Sequence, residues 1–138
     1  MSQYMNLIGQ KAKKASLEKI NTKIKNKVLK RYALLLDKER NTIITENAKD
    51  IKFVQKKGLK NNLIDRLTIN NKKLDNIKDS INKIIKLKDP VDNTLEKWSR
   101  PNGLKIKRVS ISIGVIGVIY ESRPNVTSDV ASLCFKSG

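Results

Sequence analysis

Histidine is absent from this 138-residue sequence, and cysteine, proline and aromatic residues are scarce. The single cysteine, Cys134, excludes a disulfide bond within the chain and favours a reducing compartment. No histidine is present to activate Cys134 as a nucleophile, so we interpret it as a packing residue of a helix. The longest apolar run is far shorter than a membrane span, and the N-terminal residues lack the continuous apolar stretch of a secretory signal.

Acidic residues are also few, with 13 against 30 basic ones, and the formal net charge is +17. Such a charge raises the hypothesis of a basic helical nucleic-acid-binding module. Against it, arginine is scarce beside lysine, the lysines are scattered through every predicted helix, and aromatic residues make up only 4% of the chain. We therefore interpret the lysines as solvated helix faces. We predict no nucleic-acid partner, no membrane contact and no metal site.

The first ninety residues predict helices. Gly58 stands where a left-handed C-terminal cap belongs, and residues 63–67 are expected to form a short connecting turn. The apolar spacing predicts one helix over 3–19 and a second that follows a cap at Asn21 or Thr22. A third helix is predicted over 42–56, and a fourth over 72–86 after a cap at Asn70 or Asn71. In the last of these helices, five side chains are expected to face the core: Leu74, Ile77, Ile81, Ile84 and Ile85.

After residue 90 the pattern changes to that of strands. Segments 94–99 and 104–112 predict two strands joined by Arg100-Pro101-Asn102-Gly103, which is a strong turn signal. The apolar run 111–120 has no alternation, which is typical of an interior strand of a parallel sheet. A helix is predicted over 127–136, with Val130, Leu133 and Cys134 on its buried face. The fold class is therefore α/β, and strand, turn and helix form the first half of a βαβ unit.

The polar turn after the apolar run carries the candidate site residues, since ligands gather at the carboxyl ends of parallel strands. The carboxamide of Asn125 is either an oxyanion donor or an N-terminal helix cap. Arg123 binds a carboxylate or phosphate, or pairs with Glu121 or Asp129. We expect the crevice here to be lined by Tyr120, Glu121, Ser122, Arg123 and Pro124.

The block GVIGVIYESRPNVTSDVASLCFKSG resembles the N-terminal part of the glutamate-5-semialdehyde dehydrogenases, also called γ-glutamyl phosphate reductases, of the aldehyde dehydrogenase superfamily. The resemblance extends back through WSRPNGL at 98–104, LIDRL at 63–67 and ENAKD at 46–50. It therefore covers essentially the whole chain. Its most specific part is the segment 120–126.

The resemblance implies an aldehyde-dehydrogenase-like fold in which residues 1–138 are an incomplete, N-terminal part of the cofactor-binding domain. A helical section would span 1–90, a β-hairpin 91–112 and the first βα unit 113–138. The implied activity of the full-length protein is NADPH-dependent reduction of L-glutamyl 5-phosphate to L-glutamate 5-semialdehyde in proline biosynthesis. Asn125 matches the oxyanion-donor position of the family. The family's catalytic cysteine lies beyond residue 138, so we expect the chain alone to be inactive.

The resemblance also implies a cytoplasmic enzyme that is a homo-oligomer at full length and associates with glutamate 5-kinase. Another aldehyde or acyl-phosphate dehydrogenase of the same superfamily stays an alternative. The sequence downstream of Gly138 would distinguish the two.

Overall fold

The computed structural model describes residues 3–138, which form six α-helices and one two-stranded antiparallel sheet. The predicted helices of the first ninety residues and the predicted hairpin are confirmed. None of the helices in this part of the chain is long and apolar enough to cross a membrane. The elements are α1 (Gln3–Ser16), α2 (Thr22–Lys38), α3 (Arg40–Lys56), α4 (Asn61–Leu67), α5 (Asn71–Lys86), β1 (Thr94–Ser99), β2 (Lys105–Val109) and α6 (Pro124–Ser137).

Local capping fixes where the long helices begin and end. The side chain of Asn21 accepts a hydrogen bond from the third residue of its helix, as does that of Asn70, so both predicted caps are confirmed. At the end of α3, Gly58 has φ +72°. The backbone N–H groups of Gly58 and Leu59 donate to carbonyls of the last turn, at 3.0 and 3.1 Å. This is the Schellman arrangement that glycine permits.

Residues 63–67 form the greater part of helix α4, so the prediction of a short turn is wrong there. The carbonyl oxygen of Lys60 accepts the N–H groups of Leu63 and Ile64, and the hydroxyl of Thr68 donates to the carbonyl of Ile64. A helix of seven residues is too short to show a hydrophobic period and is marginal on its own. It therefore depends on contacts with the rest of the fold, chiefly with α3.

The hydrophobic core lies between α2 and α5. It contains Leu29 and Ala33 of α2 and the side chains of α5 predicted to face inward, apart from Ile85, which is only partly buried. Ile81 is fully buried and marks the centre. Burying each such aliphatic side chain contributes about 1.5–3 kcal/mol. The apolar stripe of α5 is therefore the main source of stability.

Helix α6 turns a polar face inward, so the predicted buried face of Val130, Leu133 and Cys134 is wrong. The buried residues are Ser128, Ser132 and Lys136, while Leu133 is 48% exposed. The ammonium of Lys136 donates to the carbonyl of Ile85 at 3.1 Å and to Asn26 at 2.6 Å. Small serines let α6 approach α5 closely, while Cys134 of α6 lines a groove beside the run 111–116.

The apolar run 111–120 is not a strand in this structure, so the prediction of an interior strand is wrong for residues 3–138. Its side chains are largely exposed, Ile113 at 91% and Ile119 fully. A strand requires a ladder of hydrogen bonds to a neighbour, and this part of the chain supplies no neighbour for the run.

The hairpin is fixed to the helices by a buried ion pair at its base. Lys25 of α2 is 3% exposed, and its ammonium lies 3.0 Å from the carboxylate of Asp89, which immediately precedes Pro90. Burial raises the pKa of Asp89, but the backbone N–H of Val91 and the side chains of Lys25 and Thr22 outweigh it. Together they hold this pKa below its ordinary value.

We expect the isolated chain to self-associate through the exposed run 111–120, since it is uncharged and β-prone. Replacing both Ile113 and Ile119 by lysine should convert the assemblies to monomers in size-exclusion chromatography. The same charge added at Asn61 and Asn62, on exposed α4, should leave them unchanged. A monodisperse wild-type chain would contradict the prediction.

In that soluble double-lysine background, Asp89→Asn should lower the free energy of unfolding by about 3–5 kcal/mol at pH 7, because Lys25 becomes a buried, unpaired cation. The pKa of Asp89 is depressed in the folded state, so its contribution is complete at neutral pH. It is lost as the pH falls below about 4. Urea unfolding at pH 7 and pH 3 should therefore show a difference that shrinks in acid.

The matched control for this measurement is Glu96→Gln. Glu96 lies 3.7 Å from Arg108 on the exposed hairpin, and loss of such a surface pair should cost less than about 1 kcal/mol. Equal losses of unfolding free energy in the two variants would show that the Lys25–Asp89 pair stabilises the fold no more than an exposed ion pair does.

Candidate active site

A groove of about 480 Å³ lies where the start of α6 approaches α4 and α5. Its volume falls in the usual range for small-ligand pockets. The lining combines charged and amide side chains with a short apolar floor. The residues that line it are Asp65, Arg66, Ile69, Lys73, Asn76, Ile77, Ser80, Arg123, Pro124, Asn125 and Asp129.

Three of the six predicted site residues line this groove: Arg123, Pro124 and Asn125. The other three lie outside it. Tyr120 is 43% exposed, and its hydroxyl lies 2.7 Å from that of Thr127 on α6. The structure thus brings residues 123–125 of the predicted site together in one groove. The roles of all six residues stay predictions.

Asn125 is not an N-terminal cap, so that alternative is wrong in this structure. It is the second residue of α6, after Pro124 at the first position, and the capping position belongs to Arg123. The exposed carboxamide of Asn125 has its nitrogen 3.5 Å from a carboxylate oxygen of Asp129, one turn along the helix. One of its two N–H groups has no protein acceptor among residues 3–138.

Arg123 forms no ion pair with Glu121 or Asp129 in the described part of the chain, so that alternative is wrong too. Its guanidinium is exposed beside the groove. The preceding residue, Ser122, has φ +51°, a left-handed conformation that costs a residue with a Cβ atom roughly 1 kcal/mol. Strained turns of this kind occur at ligand sites, which supports a binding role for the turn.

The second wall of the groove was missed by sequence reasoning. Arg66, Lys73 and Asn76 lie on α4 and α5, about fifty residues before the turn at 123. The only sequence signal for this wall is the motif LIDRL at 63–67, which contains Arg66 and lies shortly before Lys73 and Asn76. Their proximity to Asn125 arises from the packing of α5 against α6, which no local pattern encodes.

This second wall is tied down by two polar side chains. Asn47, on α3 and 7% exposed, donates to the carbonyl of Leu67 at 3.0 Å and accepts the N–H of Ile69 at 2.6 Å. The ammonium of Lys73 donates to the carbonyls of Asp65 and Thr68, at 2.5 and 2.6 Å. A cation at the C-terminus of α4 also suits the helix dipole. The segment that carries Arg66 is therefore rigidly placed.

Comparisons with known proteins agree on one family. Curated γ-glutamyl phosphate reductases from Nautilia profundicola and Geobacillus kaustophilus are 49% and 45% identical, over 86% and 89% of this chain. The crystal structure of γ-glutamyl phosphate reductase from Thermotoga maritima matches 93% of the chain with a TM-score of 0.89 and 41% identity. That of the Saccharomyces cerevisiae protein matches 99% with a TM-score of 0.90 and 28% identity. No protein-family model matches.

Sequence and fold both match γ-glutamyl phosphate reductase. The predicted resemblance is thereby confirmed. The chain spans 29% and 30% of the two curated relatives and 31% and 35% of the two solved chains. Two motifs that carry the resemblance also meet in space, because Asn47 of ENAKD bonds to Leu67 of LIDRL. The third motif, at 98–104, forms the hairpin turn and lines no part of the groove.

We expect Lys73→Met to lower the free energy of unfolding by about 1–3 kcal/mol, because the backbone carbonyls of Asp65 and Thr68 lose their charged donor. The neighbouring Lys72→Met is the matched control, since Lys72 is exposed and should cost less than about 0.5 kcal/mol. Thermal unfolding of both variants in the soluble double-lysine background measures the difference. Equal melting temperatures would show that Lys73 does not stabilise the wall.

Proposed function

We propose that this chain serves in a γ-glutamyl phosphate reductase, which reduces L-glutamyl 5-phosphate to L-glutamate 5-semialdehyde and releases phosphate in proline biosynthesis. The observation that carries the proposal is the groove. In a fold that matches these reductases, Arg123 and Asn125 line a ligand-sized groove together with further cationic and amide side chains. An anionic substrate with a reacting carbonyl needs these two kinds of group.

In this proposal, Asn125 stabilises negative charge on the substrate's carbonyl oxygen. Attack of a cysteine thiolate on the acyl phosphate turns the carbonyl oxygen into an oxyanion, and its collapse expels phosphate and leaves a thioester. The N–H of Asn125 that has no protein acceptor is suited to donate to this oxyanion. The exposed guanidinium of Arg123, two residues away, is suited to bind the phosphoryl group.

Cys134 is not the nucleophile in this proposal. It lies half-buried in the last two turns of α6 and lines a different groove, beside the run 111–116. Among residues 3–138, none that could activate it as a base is bonded to it. The proposal assigns the nucleophile to another part of the enzyme and expects the chain alone to show no turnover.

The proposed cofactor is NADPH, which supplies the hydride that converts the thioester to the aldehyde. The described residues do not form a dinucleotide pocket by themselves, since the run 111–120 is largely exposed. Around Gly114 and Gly117 there is open space rather than a close-fitting cradle. We therefore assign Tyr120, Glu121 and Ser122 to the rim of the cofactor and substrate crevice only. We derive no step of hydride transfer from them.

Five wider proposals follow from the match to these reductases. Residues 1–138 would be the N-terminal part of the cofactor-binding domain, with sections at 1–90, 91–112 and 113–138. The enzyme would belong to the aldehyde dehydrogenase superfamily and work in the cytoplasm. It would form homo-oligomers and associate with glutamate 5-kinase, which would shorten the path of a reactive acyl phosphate between the two enzymes.

In the full-length reductase, Asn125→Ala should lower kcat by about a hundred-fold or more with little change in KM, because an oxyanion donor acts on the transition state. Its thermal stability should change little, because the side chain is exposed and caps no helix. Steady-state kinetics and a thermal melt of the same preparation measure both quantities.

The control is Asn102→Ala, in the other Arg-Pro-Asn sequence of the chain, at 100–102. Asn102 accepts the N–H of Leu104 in the hairpin turn, so its loss should affect the melt slightly and kcat not at all. Normal turnover of the Asn125 variant would remove the main support for a site at the start of α6. A wild-type enzyme without reductase activity would refute the proposed function itself.

A further inference from the structure

Two of the six arginines of the chain line the groove, and neither is ion-paired within residues 3–138. Arg66 approaches from α4 and Arg123 from the N-terminus of α6. In contrast, Arg40 contacts two aspartates and Arg108 pairs with Glu96. Arg31 and Arg100 have no ion pair within the described residues, but they do not line the groove. The third cation of the groove, Lys73, is already bonded to backbone carbonyls. The groove therefore presents two guanidinium groups that are available for an anion, one on each wall.

The two guanidinium groups occupy different positions relative to the proposed reacting centre. Arg123 is two residues from Asn125 on the same wall, beside the carbonyl that would react. Arg66 belongs to the opposite wall and is separated from Asn125 in sequence by the whole of α5. A substrate that places its acyl phosphate at Asn125 and Arg123 would extend its other end toward α4. In a γ-glutamyl phosphate that other end carries an α-carboxylate.

Arg66 also has the rigidity that a recognition residue needs. Asn47 and Lys73 fix the backbone on both sides of it, through Asp65, Leu67, Thr68 and Ile69. A planar guanidinium on a fixed backbone is well suited to bidentate binding of a carboxylate. The carboxylates of Asp65 and Asp129 also line the groove, which suits the ammonium of an α-amino acid.

We propose that Arg66 is a specificity-determining residue that binds the α-carboxylate of the substrate, opposite Asn125. The inference rests on the proposed function. It adds a residue from a separate helix that recognises the amino-acid end of the substrate. Arg66 binds in the ground state and the transition state alike, so its loss raises KM and leaves kcat nearly unchanged.

The test uses the full-length reductase in the reverse direction, with L-glutamate semialdehyde, inorganic phosphate and NADP⁺. Arg66→Met should raise KM for the semialdehyde by about ten- to a hundred-fold, as expected for loss of a hydrogen-bonded charge pair. KM for phosphate and kcat should stay within about twofold. Arg66→Lys should give an intermediate KM, because lysine keeps the charge without the planar fork. Arg31→Met, on the exposed side of α2, should match wild type.

A second substrate separates recognition from a general structural effect. With 4-aminobutanal, which lacks the carboxylate, Arg66→Met and wild type should have the same KM. A rise in KM for phosphate instead would assign Arg66 to the phosphoryl group and overturn the inference. So would an unchanged KM for the semialdehyde in an active enzyme. If Arg66→Met does not fold, as judged by its thermal melt, Arg66→Lys decides alone. Wild-type enzyme without turnover would refute the proposed function and the inference together.

Discussion

The apolar stripe of α5 is the constraint on which the other elements depend. Ile81 at its centre is fully buried, and its neighbours at 74, 77 and 84 complete a stripe that needs cover on more than one side. Helix α2 covers it with Leu29 and Ala33, and α6 lies against the same helix. Because one helix is shared by these contacts, the position of α6, and with it the turn at 123–125, is set by α5. The groove between them is a consequence of that packing.

Charge would oppose this compact arrangement, since the chain carries a net charge of +17. Acidic residues at or near helix ends offset part of this repulsion by pairing with basic side chains. Asp89 neutralises the buried Lys25, and Asp37 of α2 contacts both Arg40 of α3 and Lys78 of α5. The hydrogen bonds from Lys78 and Arg40 lower the pKa of Asp37. Most other lysines stay exposed, which agrees with their interpretation as solvated faces.

Features set by neighbouring residues could be predicted from the sequence, and features set by distant ones could not. The caps at Asn21, Gly58 and Asn70 and the turn at 100–103 rest on contacts within a few residues, and all were predicted. Helix α4, the polar inner face of α6 and the exposed run 111–120 depend on what lies across from them. The hydrophobic pattern of α6 allows Leu133 to be buried, but the surface packed against the helix decides which face is buried. Here α5 offers a backbone carbonyl that accepts a hydrogen bond from Lys136, so the polar face is buried instead. For the same reason the turn at 123–125 could be proposed as a site from its sequence, whereas Arg66 could not.

The groove joins two kinds of wall with different physical roles. The wall at α6 carries groups in the first turn of a helix, where the exposed carboxamide of Asn125 and a strained Ser122 favour contact with negative charge. The wall at α4 contributes no strain, and its backbone is fixed by Asn47 and Lys73 before any ligand arrives. A residue held in that way loses little further freedom on binding, so its interaction energy goes into affinity. In the proposed function, this division would let the wall at α4 bind one end of the substrate firmly while the wall at α6 stabilises the end whose charge changes.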